Sequence, residues 1–181
     1  MIALYFIIFG AVIRLAPHLD FLNFIPHLPN FTPVAAIALF SAVYLKKNYA
    51  LGLPLLILAV SDYFIGYYNG WIMLSVYGSF FLIGLMGLWL RKHKNIFNTL
   101  TITLAGSILF FLVSNFAVWA VPHSLYPHTW QGLVWSYTMG LPFFRNELAG
   151  DIFYVGVFFG AYELIIYYLK RRQVCRVQSR I

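Results

Sequence analysis

Hydrophobic residues gather in six runs, at residues 2–15, 33–45, 50–67, 71–90, 97–121 and 148–169. Each run predicts a helix. The last four are long enough to cross a hydrocarbon core about 30 Å thick. The first two reach only roughly 20 Å each as helices. They either cross with tilt and local thinning or form a re-entrant pair. Both arrangements give the later segments the same topology. Between the fifth and sixth runs lies "YPHTWQGLVWSYTMGLPFFRNELAGD", residues 126–151. Within it, residues 131–140 are apolar enough to form an interfacial helix. Thr129 is its candidate N-cap, and Gly140-Leu141-Pro142 is its candidate stop.

Composition turns this pattern into a membrane assignment. Hydrophobic residues make up 62% of the 181 positions and charged residues 9%, against about 25% charged in a soluble domain. The fold class expected is an all-α membrane protein, a six-helix transmembrane bundle with an interfacial outer segment between helices 5 and 6. Residues 1–169 form a single transmembrane domain, and residues 170–181 a basic cytoplasmic tail. The first run has no basic leader and no Ala-x-Ala cleavage site, so a retained segment is expected. One cysteine, Cys175, excludes an internal disulfide.

The net charge of +7 is better explained by orientation than by nucleic acid. Lys46 and Lys47 follow the second run, and Arg91, Lys92 and Lys94 follow the fourth. Lys170, Arg171, Arg172, Arg176 and Arg180 follow the sixth. An alternating six-span chain puts all of these on one side, which the positive-inside rule makes the cytoplasm. Both termini are then cytoplasmic. Arg14 and Arg145 alone face outward, as do residues 126–151.

Polar residues inside the runs carry the functional signal, because each is costly in hydrocarbon. Asp62, Ser79, Asn115 and Asp151 fall roughly 5–12 Å beneath the outer ends at 1.5 Å per residue. Trp119 lies a turn nearer the surface than Asn115, and Asn30 and Thr32 enter the second run from the same face. This shared level predicts a polar cavity open to the outside. Each residue also has a structural reading as a cap or interhelical hydrogen bond, and Asp151 has two candidate ion-pair partners in Arg145 and Arg14. Glu163, near the inner end, is expected to reach Lys170, Lys46 or Lys47. Gly156/Gly160 and Ala38/Ala42 are small-xxx-small pairs suited to internal packing or to a partner.

Enzyme signatures are weak. There is no HExxH, and no P-loop with which to hydrolyse ATP. Ser79 in "YGSF" has no histidine within a span to act as its base, and Asp62 with Asp151 lacks the paired motifs of an intramembrane aspartyl protease.

Six motifs then suggest a family. "NFTPVAAIALFSAVYL" (30–45), "LPLLILAVSDYFIG" (53–66), "YGSF" (77–80), "SNFAVWAV" (114–121), "YPHTWQGL" (126–133) and "LPFFRNELAGDIFY" (141–154) follow one another. Across residues 25–165 the chain resembles small bacterial multi-pass membrane proteins regarded as transporters. These in turn look like the substrate-binding S components of energy-coupling-factor (ECF) vitamin transporters, and include solitary cobalamin transporters. The resemblance implies a six-helix bundle of the inner membrane with a substrate pocket near the outer face. It also implies coupling to an ECF-type transmembrane subunit and ATPases. On its pattern Asn30, Thr32, Asp62, Asn115, Trp119, Tyr126, Arg145, Asn146 and Asp151 are pocket or pocket-supporting positions. Tyr77, Ser79, His128 and Trp130 complete the candidate substrate-binding set. No cofactor is implied, and cobalamin is a candidate transported substrate. One departure stands out: the cobalamin members hold cobalt with a cysteine in the membrane domain, whereas Cys175 lies in the tail. His128 or His123 is the alternative ligand, imidazole suiting such metals. Two rival functions remain, an intramembrane hydrolase and a membrane assembly or scaffold protein.

Overall fold

The computed structural model describes residues 2–16 and 29–178, without the side chains of Asn48 and of residues 174–178. Part of the expected outer loop between the first two runs lies outside the described residues. All regular structure among the described residues is helical. The helices are α1 (Ile2–Leu15), α2 (Val34–Tyr44), a single turn α3 (Lys47–Ala50), α4 (Gly52–Ile65), α5 (Gly70–Lys92), α6 (Ile96–Ala120) and α7 (Trp130–Gln178). α3 apart, these are the six helices the apolar runs predict. α5, α6 and α7 are long and apolar enough to cross a membrane, whereas the expectation for the third run is corrected, since α4 has only 14 residues.

The core is built around the shortest of the six. Every residue of α2 from Val34 to Val43 is buried, as expected of a helix apolar on all sides. α1, α4, α5, α6 and α7 all pack against it. Phe40 is its centre, with Phe6, Phe158, Phe159, Tyr44 and Tyr162 at ring separations of 4.7–5.8 Å. Gly87 lets α5 approach α2 closely. A Cβ added there would lie 2.6 Å from the Ala42 Cβ and 3.3 Å from the Leu39 backbone. The Ala42 member of the Ala38/Ala42 pair thus packs internally. Arg91 donates from Nε to the Ala42 carbonyl at 2.8 Å and from Nη2 to the Leu45 carbonyl. It thereby satisfies carbonyls that the C-terminus of α2 leaves open.

The outside of the bundle is as apolar as the inside. Along α6, Leu100, Leu104, Ile108, Leu112 and Phe116 are all exposed, one per helical turn, a continuous stripe facing away from the protein. Leu4, Ile8 and Val12 on α1 and Leu56, Val60, Tyr63 and Phe64 on α4 are exposed in the same way. Surfaces of this extent are rare on soluble monomers and mark contact with an apolar phase.

α5 and α6 form a hairpin across three residues. Asn69 and Asn95 cap their starts, accepting from the Trp71 and Asn98 N–H groups at 2.9 and 2.7 Å. α6 and α7 form a second hairpin along nearly the whole of α6. Ser136 donates to the Asn115 carbonyl at one end, Ser107 donates to Asp151 midway, and Lys94 meets Glu163 at the other. Thr129 caps α7 as predicted, its Oγ1 accepting from the Gly132 N–H at 3.2 Å. The predicted stop at Gly140-Leu141-Pro142 is corrected, because α7 continues through Pro142. Proline removes one helical hydrogen bond there. The lateral packing of residues 136–151 on α6 holds the helix together across the gap. Beyond Leu169 the same helix runs on to Gln178, so the expected tail begins as a helical extension.

Helix direction alternates, which sorts the charges. The first turns of α1, the end of α2, the end of α5 and the start of α6 meet the last part of α7 at one end, where Phe6, Tyr44, Arg91 and Lys94 cluster near Tyr162 and Glu163. At the opposite end, Arg14 from the end of α1 meets Asp62 from α4 and Tyr77 from α5.

Candidate functional site

The chamber end is assembled from three pieces. Ser61 and Asp62 occupy the last turn and a half of α4, and Arg14 the last turn of α1. Arg14 donates from Nη2 to Asp62 Oδ1 at 2.7 Å and from Nε to Ser61 Oγ at 2.6 Å. Tyr77 donates to the other carboxylate oxygen of Asp62 at 3.0 Å. Two charges buried in an apolar surround require such close partners. Ser61 also donates to the Leu58 carbonyl at 2.8 Å, which fixes its lone pairs toward Arg14.

The turn before α2 supplies the second piece. Asn30 adopts φ 62°, a left-handed conformation that asparagine tolerates better than most residues. Phe31 then packs on α7, with its ring 5.9 Å from Phe153 and 5.3 Å from Tyr154. Its backbone lies where a Cβ on Gly150 would be only 3.2 Å away. This anchor sets Asn30 and Thr32 beside the face of α7 that carries Glu147 and Asp151.

The third piece is that face. Glu147 and Asp151 stand four residues apart, hence on one side of the helix. Both are buried, at 8% and 3% exposure. Asp151 Oδ2 accepts from Ser107 at 2.7 Å. The carboxylate of Glu147 has no hydrogen-bond partner among the described residues. It borders open space instead.

That space is two adjoining chambers. The first, of about 230 Å³, is lined by Arg14, Asn30, Thr32, Tyr68, Glu147 and Asp151 over an apolar floor. The second, of about 350 Å³, is walled mainly by Phe110, Phe111, Phe143, Phe144, Asn115 and Tyr126. Asn30, Phe110 and Glu147 border both. Tyr68 lies in the loop between α4 and α5, and its phenol is pushed up to about 12 by burial and by the negative charge of Asp62.

The structure therefore brings together Asn30, Thr32, Asn115, Tyr126 and Asp151 from the predicted set. Asp62 and Tyr77 stand behind them, holding Arg14 in place. Asn115 also donates to the Phe111 carbonyl at 2.8 Å, and its side chain lies against Gly140, where a Cβ would come within 2.3 Å. The remaining candidates lie elsewhere. Ser79 is fully buried within α5 and donates to the Ser75 carbonyl at 2.7 Å. Trp119 donates to the Pro127 carbonyl at 3.0 Å, and His128 approaches the Val121 carbonyl at 3.2 Å. These two bonds brace the turn between α6 and α7. Trp130 is 78% exposed, Arg145 is exposed, and Asn146 is partly buried away from both chambers. The expected pairing of Asp151 with Arg145 or Arg14 is corrected: Arg14 pairs with Asp62, and Asp151 with a hydroxyl. Glu163 likewise pairs with Lys94 and accepts from Tyr44 at 2.5 Å, so Lys170, Lys46 and Lys47 are not its partners.

Sequence reasoning passed over Arg14, Tyr68, Glu147 and Ser136 as lining residues. The available signal for Glu147 was its four-residue spacing from Asp151. No group of three or more metal-ligating side chains occurs among the described residues, so His128 and His123 form no metal centre there.

The architecture defines a class: a helical bundle with three membrane-length apolar helices and a polar chamber near one end. The chain belongs to the DUF6580 family, a family of unknown function whose profile matches residues 1–174. No curated protein and no solved structure matches it.

Proposed function

We propose that this protein is a substrate-binding integral membrane subunit for the uptake of a vitamin or similar small organic compound. The observation that carries the reading is the pair of adjoining chambers. Polar side chains from α1, the turn before α2, α6 and α7 line them, and the side chains of Asn30, Thr32 and Glu147 have no hydrogen-bond partner among the described residues. Ligand sites combine apolar walls with a few convergent polar groups in this way. The distribution of lysine and arginine supports placing the chamber end toward the outside of a bacterial inner membrane, with both termini cytoplasmic. The resemblance to ECF S components supports the same orientation, and supports coupling to a transmembrane subunit and ATPases, since this chain has no nucleotide-binding motif. The lipid bilayer is its surround, and nucleic acid is not a partner on this reading.

The chamber volumes favour a compound smaller than a corrinoid, and the position of Cys175, about 40 Å along α7 from Glu147 at 1.5 Å per residue, removes the usual cobalt ligand. Cobalamin is accordingly the less favoured substrate. The hydrolase alternative loses its nucleophile, because the Ser79 hydroxyl is bound within its own helix. The assembly alternative keeps one supporting feature. Gly156 and Gly160 face open space beside a groove of about 450 Å³ near Lys94 and Glu163, where an apolar partner helix would fit. Growth of a vitamin-uptake mutant on trace vitamin tests the uptake reading. Rescue by the wild-type chain supports it, and failure to rescue for every vitamin supplied counts against it.

A further inference from the structure

We infer that the substrate is a small organic cation with a flat apolar body, and that Glu147 receives its positively charged nitrogen. This rests on reading the chambers as a substrate site, and it names the class of compound.

The first chamber is lined by two carboxyl groups and one guanidinium. Arg14 is matched by Asp62 at 2.7 Å, so that pair is neutral as a unit. Glu147 and Asp151 remain, two buried carboxyl groups on one helical face that no basic side chain among the described residues pairs with. Asp151 is served by the Ser107 hydroxyl. Glu147 is more than nine-tenths buried, has no hydrogen-bond partner among the described residues, and borders both chambers. A carboxylate held in an apolar setting without a partner is costly and signals a function. An N–H-bearing or quaternary cation seated there would supply the missing charge, with the Asn30 amide oxygen as a second acceptor. Arg14, already bonded to Ser61 and Asp62, repels such a cation less than a free guanidinium would.

The second chamber explains the rest of the ligand. It opens from Glu147 and is walled by Phe110, Phe111, Phe143 and Phe144. Ring faces attract cations and stack with flat apolar bodies. The junction at Glu147 thus joins an anionic end to an aromatic slot, and a molecule with its charge at one end and a ring at the other matches both. No group of three metal-ligating side chains occurs there among the described residues, and an organic cation fits the combination of carboxyl group and aromatic wall.

Charge-matched ligands test this. The full chain in lipid nanodiscs is titrated by calorimetry with tryptamine, tryptophol and indole-3-acetate, which share a ring and differ in charge, and with thiamine, riboflavin and nicotinate. The expected result is binding of tryptamine or thiamine at least tenfold tighter than the neutral and anionic compounds, with at least tenfold loss in Glu147→Gln. Thermal unfolding of the variant checks that it folds. The charge series uses the wild-type chain and decides the matter even if the variant does not. Binding of a neutral or anionic compound as tight as the cations overturns the assignment and leaves the binding-subunit reading standing. Binding by none of the six overturns both.

Discussion

Each end of the bundle holds a cluster of charged and hydroxyl groups, and the two clusters differ in one respect. At the basic end Lys94, Glu163 and Tyr44 bond to one another, with the Lys94 ammonium 5.0 Å above the Tyr44 ring. Arg91 is taken up by the carbonyls that end α2. Each charged group of that cluster has a partner in the protein. At the chamber end the Arg14–Asp62–Tyr77 cluster is equally closed, yet Glu147, Asn30 and Thr32 beside it border empty volume. Closed clusters hold helices in register. The open one leaves hydrogen-bonding capacity for something that is not protein. The small-residue pairs show the same contrast, with Ala42 packed against Gly87 and Gly156 facing open space.

The largest effect is expected from opening a closed cluster. Asp62→Ala leaves the Arg14 guanidinium buried without its counter-ion and is expected to cost about 3–5 kcal/mol, read as a fall in unfolding temperature in detergent. Replacing both partners, Arg14→Met with Asp62→Leu, is expected to recover most of that loss. A silent Asp62→Ala would remove the distinction between closed and open groups at this end.

Next come the glycines. Gly87→Ala drives a methyl group into Ala42 and is expected to destabilise by about 1–3 kcal/mol. Gly156→Ala meets no atom within 4 Å and is expected to stay within about 0.5 kcal/mol of wild type. Equal losses at the two positions would break the contrast between packed and open faces. A smaller effect is expected at the basic end. The Lys94–Glu163 pair is 36% and 50% exposed at its side chains, so Lys94→Met is expected to cost at most about 1 kcal/mol, diminishing in high salt.

The smallest effect is confined to alkaline pH. The folded pKa of Tyr68 lies above the ordinary tyrosine value of 10.0, at about 12. Folding therefore retains the phenolic proton where the unfolded chain has begun to lose it. Stability from this group is complete below pH 10 and declines as pH rises from about 10 to about 12. Tyr68→Phe is expected to flatten that decline and leave neutral-pH stability unchanged. Unfolding temperatures measured across this range check it.

These contrasts show what the sequence made legible. The first five apolar runs gave their helices within a few residues, because hydrocarbon tolerates only backbone that bonds to itself, whereas the sixth, read as 148–169, is part of a helix that spans Trp130–Gln178. The separation of lysines and arginines from the polar level anticipated two distinct ends. Partner choice was not legible, because it depends on lateral packing. Asp151 had two plausible basic partners, Arg145 and Arg14, and the crossing of α1 with α4 gives Arg14 to Asp62 instead. Glu147 was hidden by one local rule. Taking Gly140-Leu141-Pro142 as a stop placed it outside the sixth run, in a loop. Once α7 is seen to run through Pro142, Glu147 falls on the same face as Asp151. The candidates Trp119, His128 and Trp130 drew attention for their chemistry, but two of them brace a turn and the third is exposed.

Native mass spectrometry of the gently purified chain tests the chamber most directly. Wild-type protein is expected to retain a bound small molecule that the double variant Asn30→Ala, Glu147→Gln has lost. An adduct carried equally by both proteins, or a wild-type chain that shows none under any growth condition, would contradict a ligand-binding chamber.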